Sequence, residues 1–190
     1  MKRIISILAI LFVALLCFAS CDGKTTKDPT LIELNDLMAL EDNNYTLNVT
    51  VESANGAATH HTYVVKETNG VMSVHQKIET LNKFTVENGS ASTPSSYSTV
   101  EQKDLKPYEI MNGNYELPEF GFYDNSIGDY FGIGTKIEGD IKSLKAFMGL
   151  DIKASDAKVK VVYNYVAISS ITVTYVSESG SHITLEYILK

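Results

Sequence analysis

A period of two recurs at both ends of this chain, and nothing else in the sequence constrains the fold so tightly. Near the C-terminus Ile171, Val173 and Tyr175 alternate with Ser170, Thr172 and Thr174, and Ile183, Leu185, Tyr187 and Leu189 alternate with Thr184, Glu186 and Ile188. Successive strand side chains point to opposite faces, so each run is a strand with one apolar side. A loop of Glu178-Ser179-Gly180 pairs Tyr175 with Ile183 and Val173 with Leu185, which sets apolar residues beside apolar residues.

The N-terminal half repeats the pattern. Tyr45, Leu47, Val49 and Val51 alternate with Thr46, Asn48, Thr50 and Glu52. Asn69-Gly70 joins the next two runs, 59–67 and 71–78, as a two-residue hairpin loop. It pairs Val65 with Val74 and His61 with Ile78, so His61, Tyr63 and Val65 share a face with Met72, Val74 and Ile78. A loop of Ala54-Asn55-Gly56 places Leu47 opposite Tyr63 and Val49 opposite His61. A further strand is expected over about 158–164.

Helical spacing appears twice. Leu31, Leu34, Leu37 and Met38 lie on one face, behind an Asp28-Pro29 start signal, and predict a helix from about Pro29 to Glu41. Ile141, Leu144, Phe147 and Met148, ended by Gly149, predict a short helix over 140–149. The middle is less regular. Leu81–Glu87 reads as a strand, 88–98 as a Ser/Thr-rich loop, and 100–117 as one or two strands broken by Pro107 and Asn112-Gly113. "EFGFYDNSIGDYFGIG" at 119–134 gives no clear period. The expected fold class is α+β: a curved, mainly antiparallel β-sheet of about seven to nine strands, with the N-terminal helix and the 140–149 helix on its apolar face.

The first residues say where such a domain resides. Met1-Lys2-Arg3 is followed by an apolar run to Phe18 with one polar residue, Ser6. As a helix that run spans about 22 Å, short of the roughly 30 Å bilayer core. It reads as a secretory signal. Phe18-Ala19-Ser20-Cys21 resembles the bacterial lipobox, with Phe18 where Leu is usual. The resemblance covers residues 1–21. It implies cleavage between Ser20 and Cys21 and a diacylglycerol on the Cys21 thiol, with the amine often acylated too. Two or three acyl chains, at about 0.8 kcal/mol per buried methylene, hold a protein at a membrane permanently. The expected organisation is a signal peptide over 1–20, a lipidated cysteine and polar tether over 21–28, and one α+β domain over 29–190. The expected location is the cell membrane or outer membrane, lipid-anchored and facing away from the cytoplasm. Cys17 leaves with the signal, so the domain folds without a disulfide.

A second resemblance concerns topology. A leading helix running through "NNYTLNVTVES" into successive hairpins is similar to the envelope lipoprotein-carrier fold, a half-barrel shared by periplasmic lipoprotein carriers and mycobacterial lipid-binding lipoproteins. It covers residues 29–78 and 158–190 and implies an apolar face able to hold acyl chains. No binding residue is carried over from it.

Charge and motifs exclude several functions. The chain has 16 Lys and Arg against 23 Asp and Glu. Loss of Lys2 and Arg3 with the signal leaves 14 cations, all lysine, and a formal charge of −9. Nucleic acid is therefore not an expected partner. His60 and His61 point to opposite faces, and His75 lies opposite Val64, about 13 Å along from His60. No metal or cofactor is expected. "DNSIGD" from Asp124 lacks the glycine position of a calcium loop, so Asp124, Asp129, Glu138 and Asp140 read as a solvated face. No Gly-x-Ser-x-Gly, His-Glu-x-x-His or phosphate-binding glycine loop occurs, and no catalytic residue is assigned.

Five of the 18 aromatics, Phe120, Phe122, Tyr123, Tyr130 and Phe131, fall within twelve residues beside flexible glycines. They are the candidate ligand or lid residues. The expected function is a lipid-anchored, non-enzymatic binding domain for an apolar or lipid ligand, or for an envelope protein. The alternative is a structural or surface-interaction lipoprotein with a filled core.

Overall fold

A computed structural model describes residues 29–38, 43–54, 56–81, 97–164 and 166–190. The expected signal over 1–20, Cys21 and the expected tether to 28 lie outside the described residues, as do 82–96.

Among the described residues, nine strands form one curved antiparallel sheet, in the order β4-β3-β2-β1-β9-β8-β7-β6-β5. The strands are β1 (Tyr45–Glu52), β2 (Ala58–Thr68), β3 (Val71–Leu81), β4 (Tyr97–Asp104), β5 (Ile127–Ile133), β6 (Lys136–Ile141), β7 (Ala154–Tyr163), β8 (Ile168–Ser177) and β9 (His182–Leu189). Among the described residues three short helices accompany them: α1 (Leu31–Leu37), α2 (Pro107–Asn112) and α3 (Leu144–Met148). The first and last strands of the periodic segments, β1 and β9, pair at the centre. Each half of the chain then winds outward by hairpins.

The hairpin registers match the parity argument. Val65 faces Val74, His61 faces Ile78, Leu47 faces Tyr63, Val173 faces Leu185 and Tyr175 faces Ile183. Gly180 closes the β8–β9 loop at φ +78°, the left-handed region in which a residue without Cβ is unstrained. Register shifts between Ile78 and Glu79, between Ser155 and Lys158 and between Val162 and Tyr163 add local twist, which curves the sheet.

Side chains at odd positions of β1, β6, β7, β8 and β9 form an inner face. Ile137, Val161, Ile171 and Tyr187 make one row across it, continued by Leu47 and Tyr63. Leu31 and Leu34 of α1 and Leu144, Phe147 and Met148 of α3 are buried in the same cluster. The opposite, outer face carries Thr50, Thr174, Thr184, Lys158 and Asp140 in another row.

Several local expectations are corrected. Helix α1 begins at Leu31, and its cap is Thr30, not Asp28: the Thr30 hydroxyl takes the Glu33 N–H, and the Glu33 carboxylate takes the Thr30 N–H at 2.6 Å. This Thr-x-x-Glu capping box satisfies two end amides at once. Asp140 and Ile141 belong to β6, and α3 starts only after Ser143, whose hydroxyl takes the Ala146 N–H. Gly149 does end it, at φ +75°. In 100–117, one strand is followed by a helix: Pro107 sits in the first turn of α2, and the Glu109 carboxylate accepts the Lys106 N–H at 2.8 Å. Leu81 ends β3, and the rest of the strand expected over 81–87 lies outside the described residues. The aperiodic 119–134 stretch is a loop followed by β5 and the turn into β6.

Candidate functional site

The five candidate aromatics fall into separate places. Phe120 and Phe122 point into the inner face. Their rings stand 6.1 Å apart, and both contact Phe147, at 5.5 and 5.4 Å. Phe120 also meets Tyr187 edge-on at 5.2 Å. Phe122 is fully buried. These rings fill the space between sheet and helices. Tyr123 is half-buried and donates its hydroxyl to the Ala146 carbonyl at 2.8 Å, tying the loop to α3.

The loop that carries them is fixed by side chains acting on its backbone. Asn35 of α1 accepts the Phe122 N–H at 3.2 Å and donates to the Phe122 carbonyl at 3.4 Å. The Leu117 N–H donates to Asn43, and the Tyr45 hydroxyl donates to the Tyr115 carbonyl. Buried Ser126 donates to the carbonyls of Tyr123 and Gly121. Burial, together with the neighbouring Tyr115, pushes the Tyr45 phenol up to about 12.

Tyr130 and Phe131 are on β5, the edge strand, and are 44% and 53% exposed. With Asp129, Glu138, Gly139, Asp140, Lys158, Val159, Lys160, Thr172 and Thr174 they line a groove of about 500 Å³. Glu138, Asp140, Lys158, Lys160, Thr172 and Thr174 all belong to the outer face, so the groove opens on the side away from the core. The acidic residues read from the sequence as a solvated face are thus gathered, in part, into a concavity. Sequence reasoning did not join them to Lys158 and Lys160, because 136–139 was assigned no element and Asp140 and Ile141, the end of β6, were read as the start of a helix. Correct parity for 136–141 would have supplied the signal.

Opposite charges face one another across this groove. Asp140 is registered opposite Lys158, and Glu138 opposite Lys160. Such pairs are within reach of each other across a sheet, yet neither closes into a salt bridge among the described residues. Glu138 turns to Lys136 instead, at 2.9 Å. Some charges elsewhere are paired: Lys77 with Glu79, Lys103 with both Glu101 and Glu109, and His75 with Asp104 at 2.7 Å. The Lys103 ammonium is held well above its ordinary value, mainly by Glu109 and then Glu101.

Among the described residues no three His, Cys, Asp or Glu side chains converge as a metal site, and no helix is long and apolar enough to cross a membrane. His60 stacks on Tyr97 at 3.8 Å, on the opposite face from His61. A partly exposed apolar strip remains on the inner face, where Val49, Val51, Tyr175 and Ile183 are each only half-buried.

No protein-family model matches the chain, and no curated protein matches it. A solved structure found as similar is a de novo designed fluorescence-activating beta barrel, 8% identical, with 76% of this chain and 91% of that chain covered. Its TM-score is 0.19, a level at which the likeness carries no argument about fold or function.

Proposed function

We propose that this protein is a lipid-anchored, extracytoplasmic and non-enzymatic binding protein whose ligand is polar and enters the groove between β5 and β8. The observation that carries the reading is the set of unpaired opposite charges, Asp140, Lys158 and Lys160, in a concavity beside exposed Phe131, which the register places opposite Glu138 on the same outer face. Leaving adjacent charges unpaired gives up whatever their pairing would add, and ligand sites combine aromatic surface with a few convergent polar groups. Anchorage rests on the sequence at Phe18-Ala19-Ser20-Cys21.

A second reading places an apolar ligand on the strip of Val49, Val51, Tyr175 and Ile183. It is favoured by the incomplete cover of those side chains. Phe120 and Phe122 speak for the outer groove, since they already occupy the space beneath α1 and α3.

Two measurements test the proposal. A clickable palmitate should label the full-length protein in cells, and Cys21→Ser should abolish the label; a labelled Cys21→Ser protein refutes the anchor. For the ligand, side-chain NMR of the full-length protein in detergent, titrated with fractions of its surrounding medium, should shift Phe131, Lys158 and Lys160. Shifts confined to Val49, Val51 and Ile183 would transfer the function to the second reading.

A further inference from the structure

We infer that the groove ligand is a neutral, hydroxyl-rich oligosaccharide. This deepens the reading of the β5–β8 groove as the binding surface and rests on it. Both charge signs line the groove at neighbouring positions: Asp129 and Asp140 are exposed on one side, Lys158 and Lys160 on the other. A ligand of one sign would engage half of them and face the rest in repulsion. A hydroxyl group donates to a carboxylate and accepts from an ammonium, so one uncharged chemistry satisfies both sets. Thr172 and Thr174 add two hydroxyls of their own.

Phe131 supplies a flat apolar surface, 53% exposed, beside these polar groups. A sugar ring presents that same combination, with a C–H face for an aromatic ring and an equatorial belt of hydroxyls for the charges. The formal charge of −7 works against a polyanion. β5 is the last strand of the sheet among the described residues, so one wall of the groove has no neighbouring strand and a polymer can run past it. The volume of about 500 Å³ fits a ligand of several rings better than a single ion.

The test uses the full-length protein in detergent against an array of neutral and acidic oligosaccharides and a library of capped hexapeptides. Calorimetry then follows on whatever binds. The expected result is binding of a neutral oligosaccharide that weakens at least tenfold in Phe131→Ala and in the double change Lys158→Ala, Lys160→Ala. All three residues are exposed, so the thermal midpoint should not move and lost binding cannot be ascribed to unfolding. Binding of acidic saccharides or peptides alone, with the same sensitivity to these variants, overturns the neutral-saccharide assignment but leaves the groove as the site. No binding from any class, or binding indifferent to both variants, overturns the groove reading itself.

Discussion

The phenol of Tyr45, on the central strand β1, donates a 2.6 Å hydrogen bond to the backbone carbonyl of Tyr115, 70 residues further along the chain. The bond fastens the start of the 115–123 loop to the middle of the sheet. Tyr45→Phe should keep the ring packing against Tyr187 and lose this bond, at a cost of about 1 kcal/mol in chemical denaturation. The folded phenol titrates near 12, against about 10 when unfolded. Its contribution is therefore fully present below pH 10 and is lost as pH rises through 12. Stability of the wild type minus that of Tyr45→Phe, measured from pH 7 to 12, should shrink over that interval and stay flat below it.

Asn35 brackets both backbone groups of Phe122 from α1. Asn35→Ala should cost about 1–2 kcal/mol and speed hydrogen exchange at the Phe122 amide. Asp36→Ala, exposed on the same helix, should leave that amide unchanged. Equal exchange rates in the two variants would show that packing alone holds the loop.

Phe122→Ala removes a ring with no exposed surface from the cluster with Phe120 and Phe147. A loss of about 3–5 kcal/mol is expected. Phe131→Ala, nine residues on, should stay within about 0.5 kcal/mol. Thermal melts of the two variants decide whether the aromatic segment works as one mobile lid or, as built here, as core on one side and ligand surface on the other.

Gly139 lets β5 lie close against β6. A Cβ at this position would sit 2.6 Å from the Tyr130 Cβ and 3.2 Å from the Asp129 carbonyl oxygen. Gly139→Ala should therefore cost about 1–3 kcal/mol by overpacking, and should weaken ligand binding by moving the groove's aromatic wall. Unchanged binding and stability together would mean that β5 yields freely.

Which parts of the fold were legible depended on local period. Residues 45–78 and 168–189 carry strict alternation and short glycine-containing loops, so strand identity and register followed from parity. β5 and β6 did not, because Gly128, Gly132 and Gly139 interrupt the apolar pattern and a register shift between Ile127 and Tyr130 breaks the alternation. Ile141 has helical spacing to Leu144 and Phe147, yet ends a strand. Its burial is the same in either element, so hydrophobic pattern could not separate them. The candidate aromatics were found by density alone, which is blind to the direction in which each ring points.

The sequence by itself determined the acidic charge, the central hairpins and the one-sided apolar face of the sheet. These are properties of single positions or of neighbours a few residues apart. Only the tertiary structure decided that β1 pairs with β9, that Phe120 and Phe122 plug the inner face, and that Phe131 lines one groove with Lys158, Lys160 and Thr174 on the outer one. Those contacts join residues tens to more than a hundred positions apart. They exist because edge-to-edge pairing of strands and burial of aromatic rings are satisfied across the whole sheet at once, and no local window of sequence records that choice.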